Sequence, residues 1–127
     1  MERKNLWLIL GALGGALSVI AGAAGAHLVE PVVSPETYVT YYKAVRYQMY
    51  HSIALVLVSL FSNQTRTKAV NSAGWLFLFG ILSFSGSLYL IVFAGLQWME
   101  WVTMIGGFLF VFGWISLAIS GFSKNNL

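Results

Sequence analysis

The sequence predicts an all-α integral membrane protein: four transmembrane helices in an up-and-down antiparallel bundle, with both termini cytoplasmic. Three observations lead there. The 127 residues are 58% hydrophobic and 9% charged, with no Asp and no Cys. A soluble chain carries roughly 25% charged residues, so the bilayer has to be the solvent for most of this surface. The apolar residues also fall into long runs, each near the ~20 residues a helix needs to cross a hydrocarbon core. Finally, the connectors are short, and short connectors force neighbouring helices antiparallel.

The first span is expected over residues 6–27. Leu6–Ala26 is free of charge for 21 residues. A basic start, an apolar run and Ala24-Gly25-Ala26 also have the outline of a signal peptide, but the run is long for one, and a retained helix is expected. Gly11, Gly15, Ser18 and Gly22 recur at three- and four-residue steps, continued by Gly25 and Ala26. Small residues on one face let a neighbouring membrane helix approach closely, so this is read as a packing face. Glu30 and Pro31 break the pattern. Ser34-Pro35-Glu36 then reads as a helix start: Ser34 is the N-cap, Pro35 takes the first helical position, and Glu36 complements the positive end of the dipole.

An interfacial helical extension over 35–43 leads into the second span, 44–61. Five of the six tyrosines lie between positions 38 and 50, as in an interfacial aromatic belt. Residues 62–72 form a polar loop, 73–94 the third span, 95–99 a turn and 100–121 the fourth span, all within one domain, 1–127. Gly74, Gly80, Gly86, Gly106, Gly107 and Gly113 supply further close-packing positions. With the N-terminus inside, Arg3, Lys4, Arg66, Lys68 and Lys124 are cytoplasmic, against Lys43 and Arg46 outside; this is the positive-inside bias. The same bias accounts for the net charge of +3. No basic run with interleaved aromatics points to nucleic acid.

Charge, hydrogen-bonding groups and aromatic rings crowd into one place, Lys43–Ser52. Lys43, Tyr47 and His51 are four apart and line one side of the second helix, flanked by Gln48 and Ser52. At about 1.5 Å per residue, the third span brings Ser85, Ser87 and Tyr89 to similar depth, and the fourth brings Glu100 and Thr103. The expected outer-half cluster is therefore Arg46, Tyr47, Gln48, His51, Ser85, Ser87, Tyr89, Glu100 and Thr103. Arg46 with Glu100 is the expected ion pair, and Glu30 the alternative acid. Polar groups in hydrocarbon are costly and usually face the bundle and pair. The favoured reading is that they hydrogen-bond between helices, each bond contributing roughly 0.6 to 2 kcal/mol; the other is that they bind or relay something.

Specific chemistries fare worse. The absence of Cys removes disulfides, thiolate metal sites and cysteine nucleophiles. A bis-histidine haem needs His27 and His51 facing each other at one depth, yet His27 sits at the end of its helix and His51 well inside. One histidine with distant glutamates does not make a metal site. Phe84-Ser85-Gly86-Ser87 is not a nucleophile elbow, and a Ser–His pair would lack a group to orient the imidazole. No cofactor, metal or catalytic residue is expected.

Four motifs occur in order along the chain: Gly25-Ala26-His27, Tyr47-Gln48-Met49-Tyr50-His51, Phe84-Ser85-Gly86-Ser87-Leu88-Tyr89, and Thr103-Met104-Ile105-Gly106-Gly107 with Gly113-Trp114. In them the chain resembles the small multipass membrane proteins grouped as domain-of-unknown-function family four-two-three, which includes YgdD-like and YwdK-like bacterial proteins. The resemblance covers nearly the whole chain. It implies a four-helix protein of the bacterial cytoplasmic (inner) membrane, and no substrate or reaction. Where the family usually has proline this chain has Met104, which argues against a kink early in the fourth helix. The expectation is a small non-enzymatic structural or accessory membrane component. One alternative is a module that binds a lipid or small amphipathic ligand in the outer-half cluster, with Arg46 as anion contact. Another is an accessory subunit of a transport assembly, using the glycine face of the first helix to meet a homo-oligomer or membrane-protein partner.

Overall fold

The structure, a computed structural model, describes residues 2–64 and 67–122. Its long helices are α1 (Arg3–Ala24), α2 (Pro35–Gln64), α3 (Lys68–Ala94) and α4 (Glu100–Ser120), and no strand occurs among the described residues. Arg66 and Lys124, two of the charges behind the expected orientation, lie outside them.

The helix boundaries have local causes. α1 passes into a π-helical turn, Gly25–Val29, and then a 3-10 turn, Glu30–Val32; Pro31 in the latter has no N–H to continue a helix. Ser34 opens α2 as the sequence suggests: its Oγ accepts the Thr37 N–H at 3.2 Å and donates to Thr37 Oγ1 at 2.9 Å. α3 begins ahead of the apolar run at residue 73 because Thr67 caps it, accepting from the Val70 N–H at 3.5 Å. It ends at Gly95, whose φ of 66° is left-handed and suits a residue without Cβ. α4 is α-helical throughout, Met104 included.

Three segments are long and apolar enough to cross a membrane: Asn5–Val32, Lys68–Ala94 and Gln97–Ser120, with mean hydropathy of 2.0, 2.2 and 2.1. α2 is the longest helix at 30 residues but is not among them, because the polar residues of Lys43–Ser52 dilute its hydropathy.

Residue pairing shows the directions. Gly11 meets Ser52 and Gly25 meets Tyr41, so α1 and α2 are antiparallel. Tyr41 packs on Phe93 and His51 on Phe77, and Gly106 meets Phe84 while Gly113 meets Phe77, so α2–α3 and α3–α4 are antiparallel too. The closely packed pairs are α1–α2, α2–α3 and α3–α4. α1 and α4 do not form such a pair, so the cross-section is a rhombus with α2–α3 as its short diagonal. Its two looser edges join parallel helices: α1 with α3, bridged by Trp7 lying on Gly74, and α2 with α4, bridged by His51 stacked on Phe110.

The core is built by setting aromatic rings against glycines. A methyl at Gly80 would lie 2.5 Å from the Phe110 ring, at Gly113 2.7 Å from Phe77, and at Gly25 2.6 Å from Tyr41. Gly106 abuts the Phe84 backbone, where a methyl would come within 2.5 Å of its nitrogen. On α1 the expected small-residue face does pack on α2. Gly11 is tight against the Ser52 carbonyl, Ser18 is buried, and Gly15 and Gly22 make ordinary contact at 3.9 and 3.7 Å. Gly14, which the spacing did not single out, sits against the Ser52 hydroxyl. Two expectations are corrected. Nothing lies within 4 Å of a methyl at Gly86, and one at Gly107 would reach only the Phe84 ring at 4.0 Å; both positions line the looser edges rather than a packed seam.

Candidate functional site

Among the buried positions of α2, Tyr41, Ala44, Gln48, His51, Leu55 and Val58 alternate steps of three and four as in a heptad seam, flanked by buried Val45, Ser52, Ala54 and Ser59. α2, like α3, has a neighbour on three sides, so small angular offsets along this stripe decide which neighbour each polar side chain meets.

Gln48 faces α1 and α3. Its Nε2 donates to the Gly14 carbonyl at 3.0 Å, and its Oε1 accepts from the Tyr89 hydroxyl at 2.8 Å. One turn away, Ser85 Oγ donates to the Ala44 carbonyl at 2.7 Å. Tyr41 OH donates to the Ala21 carbonyl at 2.5 Å, just ahead of the π-helical turn. His51 faces α4. The Trp114 indole N–H donates to its Nε2 at 3.1 Å, and its Nδ1 lies 2.8 Å from the Tyr47 carbonyl. An indole nitrogen can only donate, so Nε2 is the acceptor and the neutral ring carries its proton on Nδ1. The imidazole also stacks on Phe110, with centroids 3.5 Å apart and planes 5° apart. Ser87 and Thr103 join α3 to α4 through a hydroxyl–hydroxyl hydrogen bond, and the one that accepts in it donates its single proton to its own helix, Ser87 to the Phe84 carbonyl or Thr103 to the Met99 carbonyl. Ser116 adds a bond to the Ala69 carbonyl at 3.1 Å.

The single outer-half cluster expected from the sequence therefore divides. Gln48, Ser85 and Tyr89 lie on the α1–α3 side, bordering a groove of about 410 Å³ otherwise lined by leucines, Ile81, Gly14 and Gly86. Tyr47 and His51 lie on the α2–α4 side, in a crevice of about 420 Å³ walled by Phe84, Phe110 and Trp114. Glu100 and Thr103 lie at the end of that side, in a polar pocket of about 460 Å³ with Glu36, Lys43 and Gln97.

Arg46 joins none of these. It is exposed, with its guanidinium 5.2 Å from the Tyr42 ring centroid, and among the described residues it forms no ion pair with Glu100 or Glu30. The reason is angular: two residues from Gln48 is about 200° around a helix, so a chain that turns Gln48 inward turns Arg46 outward. Among the described residues no group of three or more His, Asp or Glu could hold a metal. His27 is exposed on the π-helical turn. Trp114, Tyr41 and Gly14 were not among the residues singled out for the site. Tyr41 could have been, since it lies seven residues before Gln48 on the same heptad stripe.

No solved structure matches the chain. Membrane proteins of bacteria do. A UPF0382 membrane protein of Staphylococcus aureus (strain bovine RF122 / ET3-1) is 44% identical over 118 residues, 93% of this chain and 96% of that protein. One from Staphylococcus haemolyticus is equally similar, at 44% over the same shares. One from Haemophilus influenzae is 38% identical over 125 residues, 98% of this chain and 99% of that protein. The family described as "Protein of unknown function (DUF423)" matches residues 21–107, the stretch that contains Gln48, His51, Ser85, Ser87, Tyr89 and Thr103, and it is to this family of helical membrane proteins that the chain belongs.

Proposed function

We propose that the chain is a four-span protein of the bacterial cytoplasmic membrane, with both termini cytoplasmic, acting without catalysis as a structural or accessory component. One observation carries the non-catalytic part: Gln48, His51, Ser85, Ser87, Tyr89 and Thr103 are engaged with one another, with Trp114 or with backbone carbonyls, while the buried Ser52 hydroxyl has no partner among the described residues. Gln48 uses both ends of its amide, His51 both ring nitrogens. A general base or proton relay needs a nitrogen free to meet its substrate, and His51 offers none. Interhelical hydrogen bonds are what polar groups in a bundle supply when their task is packing. α2 counts as the fourth span because its charged residues, Glu36, Lys43 and Arg46, all lie in its N-terminal part, between Pro35 and Arg46, near the end where the exposed Trp98, Trp101 and Tyr42 form a belt. Below them its polar side chains face the bundle. This reading is preferred to the assembly alternative because the glycine face of α1 packs on α2.

The test is nitrogen-15 NMR of the His51 ring in bilayers. A neutral ring protonated on Nδ1, with the Trp114 indole proton coupled to Nε2, is expected. A ring protonated on Nε2, or an Nε2 free of the indole, would overturn the reading.

A further inference from the structure

The polar pocket at the end of α4 and the aromatic crevice below it lie one helical turn apart on the same side of the bundle. On each of the three helices that line them, the step from one to the other is four residues: Lys43 to Tyr47 on α2, Leu88 to Phe84 on α3, Thr103 to Gly107 on α4. Residues four apart are stacked one turn above the other on a helix. The looser α2–α4 edge of the rhombus thus forms a slot with a polar mouth above an aromatic interior. Each half lies within the roughly 300–1,000 Å³ typical of ligand pockets. The mouth carries one ammonium, Lys43, and two carboxylates, Glu36 and Glu100, with hydroxyls of Thr37, Thr40 and Thr103 around them. It opens at the level of Trp98 and Trp101, both exposed, where lipid head groups meet the hydrocarbon.

We infer that this slot binds one zwitterionic, amine-bearing phospholipid, with its phosphate at Lys43, its ammonium between Glu36 and Glu100, and an acyl chain in the aromatic crevice against Phe84 and Gly107. The occupant follows from charge complementarity. An anionic lipid would satisfy Lys43 but leave both carboxylates facing uncompensated negative charge, and a neutral lipid would leave all three groups unmatched. The anion contact is Lys43 and not Arg46, which faces away. Gly107 is what keeps the crevice open: its lack of a side chain leaves the Phe84 ring as the crevice wall. The inference rests on the membrane-spanning reading of α2 and α4.

The test is native mass spectrometry of the full chain. It is extracted in mild detergent after exposure to vesicles of equal parts phosphatidylethanolamine and phosphatidylglycerol. Wild type is expected to retain one phosphatidylethanolamine. Gly107→Leu fills the crevice and should cut retention by about tenfold, ~1.4 kcal/mol. Gly86→Leu, an equally unobstructed site in the opposite groove, should leave it unchanged. Glu36→Gln with Glu100→Gln, both exposed on the mouth, should abolish the preference for phosphatidylethanolamine while the fold is kept; this separates loss of site from loss of structure. Preferential retention of phosphatidylglycerol, equal retention by Gly107→Leu, or loss through Gly86→Leu would each overturn the assignment. A chain absent from the membrane fraction would sink the spanning reading along with it, whereas a membrane-embedded chain that retains no lipid sinks the lipid site alone.

Discussion

Gln48 ties three helices together, and the strength of that tie can be measured as a coupling. In Gln48→Leu the bonds to the Gly14 carbonyl at 3.0 Å and from the Tyr89 hydroxyl at 2.8 Å are both lost. The Gly14 carbonyl keeps a partner in Ser18 Oγ at 2.9 Å, but the Tyr89 hydroxyl loses the one it had on α2. Side-chain hydrogen bonds between membrane helices average about 0.6 kcal/mol and reach about 1.7, so two of them set the loss at roughly 1–3 kcal/mol. Tyr89→Phe removes one bond and should cost about 0.6–1.7 kcal/mol on the same scale. The double variant should then be less destabilised than the sum, because the shared bond is counted once, and the coupling should equal the value of that bond. The assay is reversible unfolding in mixed micelles, followed by fluorescence of the five tryptophans. Additivity of the two variants within about 0.3 kcal/mol, the behaviour of independent sites, would refute the claim that these side chains form one seam.

The glycine and histidine positions give two further predictions. Gly106→Ala forces a methyl to 2.5 Å from the Phe84 backbone and should destabilise by about 1–3 kcal/mol through overpacking. Gly86→Ala meets nothing within 4 Å and should be neutral or gain up to ~1 kcal/mol of helix propensity; the two are compared in the same unfolding assay, and equal effects would contradict the packing described. His51→Phe keeps a ring to stack on Phe110 but leaves the Trp114 indole N–H without its acceptor, so a loss of about 1 kcal/mol is expected. Melting unchanged from wild type would remove His51 from the seam.

Much of the architecture was legible because the bilayer imposes it. Apolar runs separated by Ser34-Pro35, by the loop capped at Thr67 and by Gly95 dictate four helices with antiparallel neighbours. The small-residue face of α1 was legible for the same reason, since Gly11, Ser18 and Gly22 share a helical stripe. The π-helical turn at Gly25–Val29 was not, because it is an insertion in the hydrogen-bond ladder with no residue signature beyond a break in pattern. The candidate site was read as one cluster, because spacing along a chain gives height in a bundle more readily than direction. Arg46 could have been set aside from its angle to Gln48. The partnership of His51 with Trp114 could not, since it depends on how far α4 is rotated, which Phe84 seated against Gly106 and Phe77 against Gly113 decide together. Gly86 and Gly107 show the same limit from the other side: a glycine in a membrane helix marks either a contact or an opening, and only the neighbouring helix tells which.

The central claim is that α2 crosses the bilayer in spite of its polar first half. Because the chain has no Cys, single cysteines at Ser34 and Asn63, at the two ends of α2, can be labelled with a membrane-impermeant thiol reagent in intact spheroplasts. The account predicts that Ser34→Cys reacts from outside and that Asn63→Cys reacts only after the membrane is opened. Labelling of both positions from the same side would contradict it, because α2 would then lie on the membrane instead of through it.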